Sequence, residues 1–278
     1  TRLLGASSKT EAYALTTGSD GSIYIAGETL DSLDDQENIF GGIADAFISK
    51  FNPDGTKDWT RLLGASDGYR NYPIDGAKAI TTGLDGSIYI AGYTSGDLDG
   101  QIHSGDSENY DAFISKYNPD GTKDWTRLLG SSESDEGYAL TTGSDGSIYI
   151  AGYTGGDLDG QINIADSDAF ISKYNPDGTK DWTRLLGASS KTEAYALTTG
   201  SDGSIYIAGE TFDRLDDQNI LGGFADAFIK KITNIFNPTD ITISASNFNE
   251  NIDAGSAVGT LSTTDADASD THTYELVS

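Results

Sequence analysis

Short runs of apolar residues alternate with polar turn sequences along most of the chain. In one stretch the runs are Ala77–Thr82, Ser87–Gly92, Asp111–Tyr117 and Lys123–Leu129. Their apolar residues are mostly β-branched or aromatic, which is typical of strands that pack on both faces, and no helical period competes with them. The pattern therefore predicts an all-β fold built from short strands.

Two turn sequences join these runs in pairs. Gly83–Gly86 connects the first two runs, and Asn118–Gly121 connects the third and fourth. Both favour hairpins, because proline presets its own φ and glycine adopts the left-handed conformation that such turns require. We expect each group of four runs to fold into two hairpins, which together make a four-stranded antiparallel meander.

The group of four runs is repeated in the sequence. The segment Thr1–Thr29 recurs unchanged as Thr183–Thr211. The string Asp-Trp-Thr-Arg-Leu-Leu-Gly recurs around Trp59, Trp125 and Trp182, which sets a period of about sixty residues, close to one four-stranded propeller blade. We expect a four-bladed β-propeller over residues 1–234, with repeats at about 1–59, 60–125, 126–182 and 183–234.

The two ends of this region predict closure of the ring. The fourth copy stops after its third strand, Asp226–Ile232, while the chain opens with a fourth-strand sequence, Thr1–Leu4. Pairing the two would complete the fourth blade and remove the exposed sheet edges. The alternative is that the sequence is a fragment and that further blades precede it.

The repeated strings also resemble a known family. SDGSIYIAGYT and DAFISKYNPDGTKDW resemble the SBBP family of bacterial β-propeller repeats, and the strand pattern is similar to NHL-type blades. The resemblance covers about residues 1–234 and recurs in register in all four copies. It implies a propeller within a large secreted or cell-surface bacterial protein, and it implies no shared catalytic residues.

The composition changes after Asn234, since no lysine or arginine follows from Ile235 onward. Residues 235–278 resemble the opening of a bacterial cadherin-like domain. Strands are expected at Asp240–Ser244, Ala257–Ser262 and Thr271–Val277. Because a complete sandwich takes about 100 residues, we expect a short, incomplete β-sandwich-like segment.

The cadherin-like resemblance implies one candidate Ca²⁺ site. Glu250, Asp265 and Asp267 match positions that bind Ca²⁺ between domains, and hard oxygen ligands suit this ion. The sequence departs from the pattern at Asn237–Asp240, which stands where an acidic linker is usual. We therefore expect weak Ca²⁺ binding at this junction.

A second set of candidate Ca²⁺ ligands lies in the propeller loops. A Leu-Asp-Asp-Gln or Leu-Asp-Gly-Gln element occurs in every copy, and in two copies it extends to a pair of alternating aspartates, Asp97 with Asp99 and Asp157 with Asp159. Alternating carboxylates before glycine occur in Ca²⁺ loops, although the third carboxylate and the distal glutamate of an EF-hand are missing. A solvated turn is the alternative interpretation.

The charge of the chain limits its partners. It has 44 acidic and 17 basic side chains, a formal net charge of -27 at pH 7. Such a surface repels phosphate backbones and anionic membranes, so we expect no nucleic-acid partner. No apolar run is long enough to span a bilayer, so we expect no direct membrane insertion.

The sequence offers little for catalysis. It has no cysteine, and its two histidines, His103 and His272, belong to no pattern of nucleophile, base and orienting group. We therefore expect a non-enzymatic protein. Carboxylates are plentiful, which leaves a glycan-active enzyme as the third alternative.

Differences between the copies concentrate on one face of the predicted propeller. The hairpin turns barely change, whereas the opposite connections vary: Glu28–Ala44, Tyr93–Tyr110, Tyr153–Ser167, Glu210–Ala225 and the insertion Ala65–Gly76. Variable loops on a rigid scaffold often bind ligands. We expect an extracellular protein or polysaccharide to bind there.

Two further positions recur in the copies. Aspartates begin every third strand, at Asp45, Asp111, Asp168 and Asp226. We expect them to accept backbone hydrogen bonds at the strand entrance rather than bind a ligand. The first strands carry Tyr13, Lys78, Tyr138 and Tyr195 near the expected channel mouth. Tyrosines there suit stacking on sugars, although Lys78 interrupts the series and packing between blades is the alternative.

These features together predict a binding or spacer module of an extracellular or cell-surface bacterial protein, with Ca²⁺-dependent adhesion as one form of that role. The main alternative is a carbohydrate-binding, lectin-like propeller. A lectin needs repeated aromatic and amide groups on the variable face, whereas a spacer needs no ligand pocket.

Overall fold

The computed structural model describes residues 1–38, 43–65, 73–106, 108–187, 189–215, 218 and 224–232, together with the backbone of 240–243 and 261–264. Two compact units are present, Thr1–Lys231 and Ile232–Ser278. The described residues form strands and turns, which confirms the predicted all-β class. They contain no helix that is long and apolar enough to cross a membrane.

The first two sheets of the larger unit have four strands each. Blade 1 consists of β1 (Thr10–Thr17), β2 (Ile23–Thr29), β3 (Asp45–Phe51) and β4 (Lys57–Leu63). Blade 2 consists of β5 (Asp75–Thr82), β6 (Ile88–Thr94), β7 (Asp111–Tyr117) and β8 (Lys123–Leu129). In both sheets the strands pair antiparallel in chain order, as the meander pattern predicts.

The next two sheets follow the same order. Blade 3 consists of β9 (Asp135–Thr142), β10 (Ile148–Thr154), β11 (Asp168–Tyr174) and β12 (Lys180–Leu186). Blade 4 has three strands, β13 (Thr192–Thr199), β14 (Ile205–Thr211) and β15 (Asp226–Ile232). Four copies of the repeat therefore give four blades, of which the last lacks a fourth strand among the described residues.

The register places the connections on two opposite faces. Thr10 lies opposite Thr29, and Thr29 lies opposite Asp45, so the β2–β3 connection and the start of β1 share one end of the blade. We call this end the loop face and the end with the hairpin turns the turn face. On the turn face, Gly21 and Gly55 adopt the positive φ that the hairpins require. The described parts of the variable connections lie on the loop face, as expected.

Adjacent blades pack through their apolar faces. Ile48 and Tyr24 of blade 1 belong to one buried cluster with Ile88 and Phe113 of blade 2. Polar contacts reinforce each junction, since the Trp59 indole donates a hydrogen bond to the Pro119 carbonyl at 3.2 Å. The equivalent Trp125 donates to Pro176 at 3.2 Å, so the junction between blades 2 and 3 repeats the first. Trp59 and Trp125 are both buried at these junctions, so the recurring tryptophan packs between blades.

The predicted pairing of Thr1–Leu4 with Asp226–Ile232 is wrong for this structure, and the sheets are not closed. Residues 1–4 form no strand, and β15 is the edge of a three-stranded sheet. Arg2 instead donates from Nε to the Gly55 carbonyl of blade 1 at 3.2 Å. Arg61 makes the same contact to Gly121 of blade 2 at 3.0 Å. The first residues therefore lie on blade 1 as the fourth strand of a preceding blade would. Among the described residues, the outer edge of β15 has no neighbouring strand.

The smaller unit contains one described pair of strands. β16 (Asp240–Ile243) pairs antiparallel with β17 (Leu261–Thr264), with Asp240 opposite Thr264. β16 begins where the first strand of the tail is expected, whereas β17 starts four residues later than predicted. The third expected strand, Thr271–Val277, lies outside the described residues.

Candidate functional site: an inner row of tyrosines and glutamates

The first strand of every blade contains a β-bulge at the same position. In blade 1, Ala12 lies opposite Gly27 and Ala14 lies opposite Ala26, which leaves Tyr13 as the extra residue. The extra residues of the other blades are Lys78, Tyr138 and Tyr195. A bulge changes the direction of a side chain and often lies beside a functional site. These four side chains are the ones that the sequence places near the channel mouth.

A glycine opposite each bulge makes this geometry possible. A Cβ on Gly27 would lie 1.8 Å from the Glu11 carbonyl oxygen, and a Cβ on Gly152 would lie 1.7 Å from that of Glu136. Real Cβ atoms do not approach oxygen so closely, so any side chain here would displace the backbone. The bulge therefore requires the glycine of the Ala-Gly dipeptide that recurs in the second strands.

The bulged strands lie side by side through the four blades. β1 contacts β5, β5 contacts β9, and β9 contacts β13. Near the turn face, Thr142 donates to the Thr82 carbonyl and Thr199 donates to the Thr142 carbonyl, each at 2.9 Å. These contacts fix the positions of the first strands of neighbouring blades, which we call the inner strands. The bulge residues of these strands therefore form a row across the blades.

Tyrosines and glutamates from the first and second strands surround the bulge residues. We name this set the tyrosine–glutamate row; it comprises Tyr13, Lys78, Tyr93, Tyr138, Tyr153 and Tyr195 with Glu11, Glu28, Glu136, Glu193 and Glu210. The Tyr93 hydroxyl donates to Glu28 of the preceding blade at 2.9 Å, and Tyr153 donates to Glu136 of its own blade at 2.9 Å. Tyr195 donates to Glu193 and to Glu210.

Hydrogen bonding and burial set the charge state of the row. Burial raises the pKa of Tyr138 and Tyr153 well above the ordinary tyrosine value, so these phenols stay protonated and act as donors. Burial also raises the pKa of Glu136, although the hydrogen bond from Tyr153 opposes this shift. In blade 1 the Lys9 ammonium is a hydrogen-bond partner of Glu11 and lowers the pKa of that carboxyl.

One bulge residue places a cation within the row. The Lys78 ammonium lies 3.5 Å from the ring centroid of Tyr13 and 5.2 Å from that of Tyr93. Both distances fall within the range of cation–π attraction. In blade 3 the equivalent residue is Tyr138, whose ring lies 5.8 Å from Tyr153 and 5.7 Å from Tyr195. At the bulge of blade 2 the row thus holds a cation beside two rings, whereas at the bulge of blade 3 it holds three neighbouring rings.

A pocket on the loop face adjoins the row. Its volume is about 430 Å³, and Asn109, Glu133, Tyr153 and Asp166 are among the residues that line it. Tyr153 belongs both to the pocket and to the row, so the two form one continuous polar and aromatic surface. The pocket lies among the variable connections of blades 2 and 3, where the sequence predicts ligand binding.

The aspartates predicted as Ca²⁺ ligands in the propeller loops take part in turns. Asp99 accepts a hydrogen bond from Thr126 and pairs with Lys123, and it adopts a φ of 53°. Asp159 forms the equivalent contacts with Thr183 and Lys180. Both carboxylates thereby tie the loop to the fourth strand of their own blade.

The other two loop aspartates accept hydrogen bonds from backbone amides of their own loops. Asp97 accepts a hydrogen bond from the His103 amide at 2.8 Å, and Asp157 accepts one from the Asn163 amide at 2.9 Å. Within the described ranges, no group of three or more histidine, cysteine or carboxylate side chains is arranged to hold a metal ion. Glu250, Asp265 and Asp267 lie outside the described residues, and their Ca²⁺ binding stays a prediction.

Buried aspartates mark the loop-face ends of the strands. Asp111 accepts a hydrogen bond from the Ser104 amide at 2.8 Å and Asp168 accepts one from the Ile164 amide at 3.1 Å, as predicted for the start of the third strand. Sequence reasoning missed Asp75 and Asp135, which begin the first strands of blades 2 and 3 and are fully buried. Burial raises the pKa of each to about 7.

The pairing of tyrosines with glutamates was also missed from the sequence. Glu136 and Tyr153 are opposite each other on adjacent strands, as are Glu193 and Glu210. The available signal was the alternation of large polar residues at the loop-face ends of the first two strands. It becomes meaningful only when the register of those strands is known.

Two family models of β-propeller repeats match the sequence. Residues 124–159 and 181–211 match the SBBP β-propeller repeat. Residues 18–60 match a β-propeller domain of unknown function, DUF5122. A curated relative, the regulatory protein FlaEY of Caulobacter vibrioides, is 31% identical over 174 residues, which are 58% of this chain and 18% of the relative. This chain thus spans less than a fifth of that relative's length.

Two solved structures resemble the fold at low sequence identity. A catalytically inactive virginiamycin B lyase from Staphylococcus aureus, solved with quinupristin, is 17% identical, with 84% of this chain and 59% of that chain covered and a TM-score of 0.40. The extracellular domain of a putative hybrid two-component system from B. thetaiotaomicron is 9% identical, with 85% and 28% covered and a TM-score of 0.35. Neither likeness, at these scores, extends to activity or ligand.

Proposed function

Because the chain is a β-propeller repeat protein that carries SBBP-type repeats, we propose that it is a non-enzymatic binding module of a secreted or cell-surface bacterial protein. The ligand binds at the tyrosine–glutamate row and in the adjoining pocket. The observation that carries this proposal is the β-bulge at one position of all four inner strands, which aligns aromatic rings beside carboxylates. A rigid scaffold that holds such groups in place suits recognition.

The charges of the row favour a binding module over a spacer. Among the described residues, the Glu136 and Glu210 carboxylates form no ion pair, and both are half-buried. Removing a carboxylate from water costs free energy unless a partner compensates. The hydrogen bonds from Tyr153 and Tyr195 offset part of that cost, and a cationic ligand would offset more of it in a binding site, which a spacer does not need.

The same contacts support a role without catalysis. The tyrosine hydroxyls donate to the carboxylates, and the raised pKa of Tyr153 keeps its phenol protonated at neutral pH, so it has no free base form there. Glu136 in turn accepts the hydrogen bond from Tyr153, which opposes the rise in its pKa that burial causes. The row therefore suits holding a ligand more than transferring its protons.

A lectin-like module is the second candidate, because tyrosine rings and carboxylates also bind sugars. The Tyr138 ring lies 5.8 Å from the Tyr153 ring of its own blade and 5.7 Å from the Tyr195 ring of blade 4. A neutral oligosaccharide would stack on these rings and bond to the adjacent glutamates. The lectin-like candidate predicts a neutral ligand, so comparing the binding of neutral and charged ligands distinguishes it from the first candidate.

The experiment is a binding screen of the whole chain on an array of neutral oligosaccharides, amino sugars and peptides. The variant Tyr138→Ala/Tyr153→Ala is screened in parallel, with Leu84→Ala on the turn face as the control. We expect at least one class of ligand to bind the chain and the control alike and to bind the double variant at least tenfold more weakly. Equal binding by all three proteins, or turnover of a captured ligand, would contradict the proposal.

A further inference from the structure

The bulge position of blade 2 holds a cation of the protein itself. Lys78 extends its ammonium over the Tyr13 ring at 3.5 Å and lies 5.2 Å from the Tyr93 ring. The hydrogen bond with Lys9 is the main cause of the lowered pKa of Glu11, and the charge of Lys78 lowers it further, so this ammonium also acts on a carboxylate of the row. Blade 2 thus shows that rings and carboxylates at this position accommodate an organic cation.

Blade 3 has a tyrosine in place of that lysine, and a carboxylate, Glu136, lies opposite Tyr153 where blade 2 has Gly76. The charge of Lys78 also acts on Glu136 and opposes the rise in its pKa that burial causes. Tyr138 replaces Lys78 at the bulge, and Tyr153 occupies the strand position of Tyr93. The Tyr195 ring of blade 4 lies 5.7 Å from Tyr138 on the other side. Tyr138 therefore lies beside two further tyrosine rings at the bulge position where blade 2 carries an ammonium group.

Carboxylates surround these three rings. Tyr153 donates to Glu136 at 2.9 Å, and Tyr195 donates to Glu210 at 2.8 Å. Glu193 is buried and pairs with Lys191 at 3.0 Å. Glu136 and Glu210 form no ion pair among the described residues. A phenol that donates to a carboxylate has a more electron-rich ring, which strengthens its attraction for a cation.

The adjoining pocket extends the same chemistry toward the loop face. Glu133 and Asp166 line it together with Tyr153, which belongs to the row. A ligand with several cationic groups can therefore reach from the rings into the pocket and meet carboxylates along its length. The formal net charge of -27 raises the local concentration of cations around the whole chain.

We propose that Tyr138, Tyr153 and Tyr195, with Glu136, Glu210 and the adjoining pocket, bind organic ammonium groups, as carried by a lysine-rich peptide or a polyamine. This inference rests on the proposed binding function and specifies its ligand class. Stacking of ammonium on the tyrosine rings supplies the directional contact. Glu136 and Glu210, which accept tyrosine hydrogen bonds but form no ion pair among the described residues, supply the charge that an incoming cation neutralises.

The test is calorimetric titration of the whole chain with tetralysine and with spermidine at low ionic strength, with cellotetraose as the neutral probe. Tyr138→Lys gives blade 3 the bulge residue of blade 2, so that the protein's own ammonium group competes with a bound cation for the rings and carboxylates. We expect it to weaken binding of both cationic probes at least tenfold. Lys78→Ala removes the cation of blade 2, and we expect a second binding event in this variant.

Asp120→Asn is the matched control, because it removes one negative charge from the turn face, away from the row. We expect tetralysine to bind this variant within twofold of the wild-type chain. A preference for tetralysine over spermidine assigns the site to peptides, and the reverse assigns it to polyamines. Thermal unfolding of each variant verifies that the fold is retained.

Equal weakening by Tyr138→Lys and Asp120→Asn would show that only the overall charge attracts the probes, which overturns the inference. Tighter binding of cellotetraose than of tetralysine, lost in Tyr138→Lys, would also overturn it while leaving the proposed binding function intact. Absence of any selective ligand in the broader screen would instead contradict the proposed function itself.

Discussion

At the scale of single residues, the glycines opposite the bulges determine whether the row can form. Each inner strand gains one extra residue, and the strand beside it makes room by having no side chain at that point. A recurring Ala-Gly dipeptide reads as ordinary strand sequence, although glycine normally weakens a strand. Its presence in every copy is explained by the close approach of the neighbouring carbonyl oxygen.

We expect Gly152→Ala to lower the free energy of unfolding by about 1–3 kcal/mol, because its Cβ would overlap the Glu136 carbonyl oxygen. Chemical denaturation of the purified variant measures this change. Gly5→Ala is the matched control, since no atom lies within 4 Å of the Cβ position there. An equal stability of the two variants would contradict the requirement for glycine at the bulge.

The buried aspartates make a second residue-scale prediction, which concerns pH. Asp75 and Asp135 have pKa values raised from 3.8 to about 7 by burial. Between these values the folded state binds more protons than the unfolded state, so their contribution to stability is complete below about pH 4 and is lost as the pH rises through 7. We expect the chain to unfold at a higher temperature at pH 5 than at pH 8.

The double variant Asp75→Asn/Asp135→Asn should reduce this pH dependence. The amide keeps an acceptor for the backbone groups that Asp75 and Asp135 bind, and it does not ionise. Denaturant unfolding at pH 5 and pH 8 should give a difference in free energy that is smaller in the variant by about 2–3 kcal/mol for each carboxyl replaced, or about 5 kcal/mol for the pair. An unchanged difference would mean that these carboxyls do not cause the effect.

At the scale of strands and loops, much of the structure could be predicted from the sequence. β7 and β8 begin and end where the sequence predicts, because hairpin turn residues and strand propensity are local properties. The bulges could not be predicted, since they depend on which residues lie opposite each other. The same limit explains why Tyr13 and Tyr195 were recognised as candidates, whereas their glutamate partners were not.

The loop aspartates show a related limit. A pair such as Asp97 and Asp99 resembles part of a Ca²⁺ loop in sequence, yet a turn sequence and a metal loop use the same residue types. Contacts with Lys123 and Thr126 become visible only in three dimensions, because these residues belong to another strand. The sequence alone therefore left both interpretations open.

Ca²⁺ titration of the intact chain separates the two groups of candidate ligands. We expect weak binding through the tail carboxylates, with a dissociation constant of about 10⁻⁴–10⁻³ M, as is usual for extracellular modules. Asp265→Asn/Asp267→Asn should abolish it, whereas Asp99→Asn/Asp159→Asn should not. Retention of all Ca²⁺ binding by the tail variant, with loss in the loop variant, would assign the ion to the propeller loops.

At the scale of the propeller unit, the two end blades expose faces that are buried elsewhere. Ile229 of blade 4 is 76% exposed, whereas its equivalents Ile48 and Ile171 are fully buried against the next blade. On blade 1, Leu15 is 70% exposed, whereas its equivalent Ile80 is buried. The ring closure that the sequence predicts would have covered both faces. Closure depends on the rotation between successive blades, which no local sequence pattern specifies.

These end faces predict self-association of the chain. They are complementary, because the junctions between blades bury the same residue types that the ends expose. We expect sedimentation velocity to show oligomers that grow with concentration and that Ile229→Glu reduces at least tenfold in affinity. Ile162→Glu is the control, since Ile162 is 73% exposed in a loop outside the blade junctions. A wild-type chain that stays monomeric at high concentration would contradict this expectation.

The central claim for the whole protein is that ligands bind at the tyrosine–glutamate row rather than elsewhere on its acidic surface. Hydroxyl-radical footprinting of the chain with and without bound tetralysine tests it most directly. The account predicts reduced oxidation of Tyr138, Tyr153 and Tyr195, with no change at Leu84 on the turn face, which is 71% exposed. Protection of Leu84 to the same degree, or unchanged oxidation of the three tyrosines at saturating tetralysine, would contradict it.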